Sequence, residues 1–333
     1  MLDFKMFSGK KSAHESQPVY TYAGENPFAI EVDRLFCAYG PKIAVDHLTL
    51  RVPFGSVYGF LGPNGAGKTT TIKTLLGLRN MQGGSARLLN YDIATHGLEA
   101  RQRTGYLAET NNLYGYMKVG EMVETARRLS ARWNPQTINR YLDLFNLSPN
   151  QKINKLSKGM KGQLALALAL GSEPDLLILD EPTSGLDPLK RYEFLNQIVR
   201  EVSQAGRTIF FSSHNLNEVE QIADRIAIIN EGRLVVEDEL DNLKLHEKAV
   251  KVAFDRPVWV HDLENIPGVR HVMQEGRRFR LLVRGDADMV ANELEKLGAR
   301  AVEQVEMNLE MLFIAYLQGY RESSGPTWQD EKR

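Results

Sequence analysis

The residues Gly62-Pro63-Asn64-Gly65-Ala66-Gly67-Lys68-Thr69-Thr70 have the types and spacing to hold a phosphate chain. They fit G-x-x-x-x-G-K-[ST], in which glycines let the backbone curl with its N–H groups turned inward around phosphate oxygens. Lys68 in that pattern reaches the β and γ phosphates, and the Thr69 hydroxyl ligates Mg²⁺. A second stretch, Leu176-Leu177-Ile178-Leu179-Asp180-Glu181-Pro182, ends an apolar run in two carboxylates. Placed at a strand end near the phosphates, Asp180 suits the Mg²⁺ shell and Glu181 suits the polarisation of water. His214 follows a third apolar run, Thr208 to Ser213. If that run is a strand of the same sheet, His214 lies on the same side and can sense the terminal phosphate.

These residues need a scaffold that brings strand ends together. Ser56 to Leu61 reads as a buried strand, and Thr71 to Leu78 as a helix with Ile72, Leu75 and Leu76 on one side. Strand, glycine loop and helix in that order aim the helix N-terminus at an anion. Four large apolar residues in succession, Leu176 to Leu179, mark a strand buried on both faces, as in a parallel sheet. Ala29 to Leu35 and Asp46 to Val52 alternate apolar and polar residues instead, which predicts half-buried antiparallel strands around a turn at Tyr39-Gly40-Pro41. Gln82-Gly83-Gly84-Ser85 reads as a turn before a strand at Ala86 to Leu89, and Arg103 to Glu109 as a strand ending on an acid. Val119 to Arg132 and Thr137 to Leu144 have helical spacing, and Ser157 is placed to cap a helix running to Leu170. A helix from Pro188 and a hairpin around Asn230-Glu231-Gly232 complete the first unit.

The pattern restarts after Leu240. Strands and helices then alternate as β-α-β-β-α-β, the order of a small ferredoxin-like fold. The expected division is a flexible tail over 1–27, an α/β nucleotide-binding unit over 28–240 with a helical insertion at about 110–170, a small α+β regulatory or dimerisation unit over 241–320, and a second flexible tail over 321–333.

Composition narrows the class. The chain has 333 residues, 43% of them hydrophobic and 25% charged, with a net charge of -1, the profile of an ordinary globular protein. That balance creates no global field to draw in nucleic acid. Cys37 is the single cysteine, so no internal disulfide can form, and a reducing compartment is the expected home. No apolar run approaches the roughly eighteen residues that a membrane-spanning helix needs. The chain is therefore expected to be cytoplasmic by itself, with any membrane association made through a partner.

In order and in approximate spacing, these motifs resemble the ATP-binding subunit of ABC transporters, over about Ile30 to Glu237. The resemblance implies a P-loop core with an antiparallel β subdomain and a helical insertion, ATP and Mg²⁺ as ligands, and ATP hydrolysis. It also implies a head-to-tail dimer, expected as a homodimer, with two ATPs sandwiched between the subunits. Carried over, Tyr39 stacks on adenine, the loop from Gly62 to Thr70 holds phosphates, and Thr69 and Asp180 serve Mg²⁺. Glu181 resembles the general base and His214 the γ-phosphate switch. The element Leu156-Ser157-Lys158-Gly159-Met160 corresponds to Leu-Ser-Gly-Gly-Gln, so Ser157, Lys158, Gly159 and Met160 act on the other subunit's ATP. Asp187 links the two sites. Two positions depart from the usual pattern: Met160 replaces a glutamine, and Glu109 replaces a glutamine near the metal, where a carboxylate can ligate Mg²⁺.

The form of these departures resembles the branch that serves ABC-2-type permeases, often exporters. An integral-membrane permease in a separate chain is the implied partner, which places the subunit on the inner face of the cell membrane. The segment from Asn111 to Met117 is expected to receive a helix of that permease, with Tyr114 or Met117 partly exposed. The competing function is a soluble ABC-type ATPase acting as a regulator, which the departures at Met160 and Glu109 leave open, or on ribosomes or nucleic acid, against which the chain carries one set of motifs, no coiled-coil insertion and no basic stripe.

Overall fold

The computed structural model describes residues 26–110, 113–184, 186–276 and 278–324. The expected tails lie outside these residues except at their inner ends, 26–27 and 321–324. The Asn26 side chain accepts from Phe28 N at 3.1 Å, and Pro27 O accepts from Phe54 N at 3.1 Å, so residues 26–27 are pinned to the first sheet. At the other end, helix continues to Ser324.

The chain begins with β1 (Phe28–Tyr39), β2 (Lys42–Pro53) and β3 (Val57–Leu61), followed by α1 (Lys68–Leu75). Next come β4 (Gly83–Leu88), β5 (Tyr91–Asp92), α2 (Gly97–Gln102) and β6 (Thr104–Leu107). The helical insertion holds α3 (Val119–Leu129), α4 (Pro135–Leu144) and α5 (Lys158–Gly171). The sheet resumes with β7 (Leu176–Asp180), α6 (Pro188–Ala205), β8 (Thr208–Ser213), α7 (Leu216–Ile222), β9 (Arg225–Asn230) and β10 (Arg233–Glu239). The last part comprises α8 (Leu240–His246), β11 (Glu247–Phe254), α9 (Val260–Glu264), β12 (Val269–Glu275), β13 (Arg278–Arg284), α10 (Ala287–Lys296), β14 (Ala299–Glu306) and α11 (Leu309–Ser324).

The central sheet has the order β10-β9-β3-β8-β7-β6. All its pairings are parallel except the β9–β10 hairpin. Every residue of β3, β7 and β8 is buried, and successive side chains serve different cores. Leu177, Leu179, Ile209 and Phe211 pack with the insertion and with α6 and α7. Leu176, Ile178, Phe210, Tyr58 and Phe60 pack instead with α1 and the antiparallel sheet β2-β1-β4-β5. This is why the sequence of β7 shows no alternation: both of its faces are apolar. Fully burying one such leucine contributes about 1.5–3 kcal/mol.

One expected turn is part of a strand. Gly83 and Ser85 pair with Phe36 and Asp33 of β1 across a register shift. Gly84, at φ 81°, passes so close to β1 that a Cβ would meet Arg34 O at 2.3 Å. The two glycines therefore permit a bulged crossing of backbones.

In the carboxyl-terminal part the strand order is β12-β13-β11-β14, antiparallel throughout. Val250, Val252 and Phe254 face α9 and α10 in one core. Ala249, Leu282 and Met307 turn the other way and join Leu309, Leu312 and Ala315 of α11 in the core that also holds Val219 and Ile226. Helix α11 thus carries the apolar interior from the central sheet into the carboxyl-terminal sheet.

Candidate nucleotide site

The carboxyl ends of β3, β7 and β8 lie side by side, and the loops leaving them build one cleft. It has a volume of about 580 Å³ and is lined by Tyr39, Lys42, Ala44, the loop from Asn64 to Thr70, Glu109, Glu181 and His214. The glycine loop turns sharply because Gly65 and Gly67 adopt φ of 84° and 108°. At Gly67 a Cβ would meet Ala44 O at 2.4 Å, so substitution there is blocked by backbone as well as by φ. Helix α1 starts at Lys68 with no side-chain cap and no acidic residue in its first turn. Its free N–H groups and positive dipole end face the cleft.

Lys68 is buried, at 7% exposure, and donates to Gly62 O at 2.7 Å. Its Nζ lies 3.6 Å from Glu181 Oε1. The other carboxylate oxygen of Glu181, Oε2, bonds His214 Nδ1 at 2.7 Å. Glu181 has φ 48°, a left-handed conformation that costs about 1–2 kcal/mol for a residue with a side chain. Its backbone N–H is held there by Ser212, at 3.2 Å from the carbonyl and 3.0 Å from the hydroxyl oxygen. The same Ser212 hydroxyl donates to Asp180 Oδ1 at 2.6 Å, and Thr69 Oγ1 donates to that oxygen at 3.3 Å. Asp180 Oδ2 is buried and has no hydrogen-bond partner among the described residues. Burial, with Asp180 and Glu109 nearby, pushes the Tyr106 hydroxyl up to about 12.

The family model described as ABC transporter matches residues 45–184. The chain is 35% identical over 271 residues to the bacitracin transport ATP-binding protein BcrA of Bacillus licheniformis, covering 76% of this chain and 88% of that one. The chain belongs to the ATP-binding subunits of ABC transporters. An uncharacterised ABC transporter ATP-binding protein of Nostoc sp. is 43% identical over 208 residues, or 60% of this chain and 61% of that protein. The Nod factor export ATP-binding protein I of Burkholderia orbicola is 39% identical over 204 residues, or 60% of this chain and 67% of that protein. Among solved structures, an ATP binding subunit of an ABC transporter superposes with a TM-score of 0.60 at 30% identity, covering 65% of this chain and 92% of that one.

The structure brings Tyr39, Lys68, Thr69, Asp180, Glu181 and His214 to this ABC subunit's cleft, with Glu109 at its wall. It does not bring the signature residues there. Ser157 caps α5, its hydroxyl accepting from Met160 N at 3.2 Å. Gly159 is buried against the turn before α6 and that helix's first turn in the same chain, where a Cβ would lie 3.2 Å from Leu186 and 3.4 Å from Lys190. Lys158 is exposed on the first turn of α5, and Met160 packs partly into the insertion core. Asp187, exposed, accepts from Lys190 N at 3.0 Å, a bond that holds its carboxyl below the usual range. Gly185 in the same turn lies outside the described residues.

Sequence reasoning missed two supports. Ser212 ties Asp180 to the Glu181 backbone, and its signal was a polar residue closing an otherwise apolar strand. Glu218 accepts from Thr183 Oγ1 at 2.5 Å and from Asn215 Nδ2 at 2.7 Å, and sits 2.9 Å from Arg191 Nε. This binds the segment after Glu181 to the segment after His214. Burial pushes the Glu218 carboxyl up.

Proposed function

We propose that this chain hydrolyses ATP as one of two identical subunits that drive a separate membrane permease, and that the direction of transport is export. The observation that carries the paired arrangement is the division of labour within one chain. The cleft gathers the phosphate loop, Asp180, Glu181 and His214, whereas Ser157 to Met160 cap a helix that does not line it. A second copy, head to tail, would supply that cap to the cleft. Support for export comes from the Nod factor export relative, and support for a permease partner from the transport relatives as a group. None of these names points to ribosomes or nucleic acid.

In this reading the loop amides and Lys68 hold the β and γ phosphates, and Tyr39 stacks on adenine. Asp180 fits a hard divalent cation, because its buried Oδ2 has no partner among the described residues while its Oδ1 meets the Thr69 hydroxyl. Thr69 and Asp180, with Glu109 at the cleft wall, would hold Mg²⁺, which when bound neutralises charge on the phosphate oxygens. Glu181 takes a proton from water as the water oxygen bonds to the terminal phosphorus. The bond to the bridging oxygen breaks, and ADP leaves with the electron pair. His214 orients Glu181 through its 2.7 Å bond and senses the γ phosphate. Ser157 and the Gly159 N–H contact the partner's ATP, and Asp187 at the start of α6 links the two sites.

The unit from 241 to 320 is read as a regulatory or dimerising domain. Its β-α-β-β-α-β element order and antiparallel sheet support a ferredoxin-like fold. No helix among the described residues is long and apolar enough to cross a membrane. Attachment to the inner face of the cell membrane is assigned to the permease on the support of the transport relatives.

A mixing experiment tests the arrangement. Lys68→Ala and Ser157→Arg chains should each be inactive alone. In a mixed head-to-tail dimer, one site collects both defects and the other is intact, so ATPase activity returns on mixing. If the signature acted within its own chain, mixing would restore nothing.

A further inference from the structure

Arg79 follows α1 and folds back onto the end of β1. Its guanidinium carbon lies 3.4 Å from the centroid of the Tyr39 ring. This is well inside the roughly 6 Å range of a cation–π contact. The guanidinium is not free to wander. Arg79 Nη2 donates to Ala38 O, and Arg79 N bonds Lys73 O at 3.2 Å. Gln82 completes the clamp: its Nε2 donates to Ala38 O at 3.1 Å, and its Oε1 accepts from Ala38 N at 3.0 Å. Arg79 Nε is buried and has no acceptor among the described residues, so the stack on Tyr39 is the main contact of that side of the guanidinium. The segment 79–82 therefore fixes the backbone immediately before Tyr39 and covers one face of its ring. Tyr39 as a whole remains 48% exposed and lines the phosphate cleft, whereas Arg79 does not line it.

We propose that Arg79 is a positioning residue for the nucleotide base: it caps one face of Tyr39, presents the other as a fixed stacking platform, and gives the site a preference for purine over pyrimidine nucleotides. This rests on the reading of Tyr39 as the base-stacking residue. Two physical effects act together. A ring held from behind loses little rotational freedom when a base docks. A cation on one face also draws electron density from the ring, and the less negative outer face stacks better on a large, electron-rich purine.

The test is steady-state hydrolysis of ATP and of CTP by the full chain, with wild type, Arg79→Met and Tyr39→Ala compared. Arg79→Met should raise the KM for ATP about three- to tenfold, the scale of an exposed to partly buried cation–π contact. It should leave kcat at saturating ATP and the KM for CTP nearly unchanged, so the ATP-to-CTP ratio of kcat/KM falls. A merely structural defect would weaken both nucleotides alike, since both share the triphosphate, and that result overturns the proposal. So does an unchanged ratio in Arg79→Met when Tyr39→Ala lowers it; the stacking role of Tyr39 then stands without Arg79. If Tyr39→Ala leaves the ratio unchanged, the base-stacking reading itself is wrong and the proposal falls with it. Should Arg79→Met lose its native melting transition, Arg79→Gln is scored by the same ratio: a fall supports the proposal and no change overturns it.

Discussion

Replacing Glu181 with glutamine isolates the proposed base from everything else in the cleft. The amide has the shape of the carboxylate, and the strained backbone at this residue is held by Ser212 through the main chain, at 3.2 and 3.0 Å. The site geometry should therefore survive. What is lost is a proton acceptor and one negative charge 3.6 Å from Lys68 Nζ. Loss of a general base lowers turnover by about 10²–10⁴-fold, which adds about 2.7–5.4 kcal/mol to the barrier. Removing the charge acts in the opposite direction on binding, because a triphosphate no longer faces a carboxylate in the cleft wall. Phosphate release at saturating ATP should fall by that factor, while ATP binds at least as tightly and the chain elutes as an ATP-dependent dimer. Turnover within about threefold of wild type would show that another group takes the proton. Slow turnover with equally weakened ATP binding would show that Glu181 shapes the cleft rather than acting in it.

Asp180→Asn removes the charge at the buried oxygen that lacks a partner; Mg²⁺ should no longer strengthen ATP binding to the variant, and titration of nucleotide with and without the cation reads this directly. Tyr114 is half exposed, 5.8 Å from the Tyr116 ring, and stands apart from the nucleotide cleft. Tyr114→Asp should keep ATP binding and abolish co-purification with detergent-solubilised membrane protein; undiminished recovery would remove this surface from the permease contact. Glu247 is buried at the start of β11, bonded to the Tyr316 hydroxyl at 2.7 Å, with Arg284 Nε 3.8 Å away. Burial raises its carboxyl above 4.5, so the folded chain holds this proton more tightly than the unfolded chain. Its stabilising contribution is complete below the ordinary glutamate value and is lost as pH rises through the raised one. Glu247→Gln should therefore melt above wild type at pH 7.5, with the gap shrinking toward pH 4.5; a lower melting temperature at pH 7.5 would mean that Tyr316 and Arg284 outweigh the burial.

How far the sequence speaks depends on how locally each feature is encoded. The phosphate loop is one continuous segment whose glycines, lysine and threonine do their work within nine residues, and Asp180-Glu181 sits at the end of its own strand. Such features are legible because chain connectivity alone sets their geometry. The central strands were legible for the same reason, as apolar runs with a polar end. The glycines at 83 and 84 were misread because their conformation is dictated by Arg34, which lies about fifty positions away and leaves no periodic trace. Ser212, Glu218 and Arg79 escaped notice likewise, since each acts by touching a residue 31 to 41 positions distant.

The same distinction bears on the paired mechanism. Ser157 to Met160 form a complete local unit: Ser157 satisfies the first turn of α5 through Met160 N, and Gly159 is packed against Leu186 and Lys190 of its own chain. With its side held by α6, Gly159 can offer a ligand only its N–H. Lys158 beside it adds positive charge at a helix N-terminus that already favours an anion. A capped helix N-terminus that does not line its own chain's cleft fits the proposed arrangement, in which a second copy brings a phosphate to it. The altered residue Met160 bears less on this than its position suggests, because its backbone N–H is engaged by Ser157 and its side chain packs into the insertion core. A methionine here packs apolar surface and leaves the two groups proposed to meet the partner's ATP, the Ser157 hydroxyl and the Gly159 N–H, where they are.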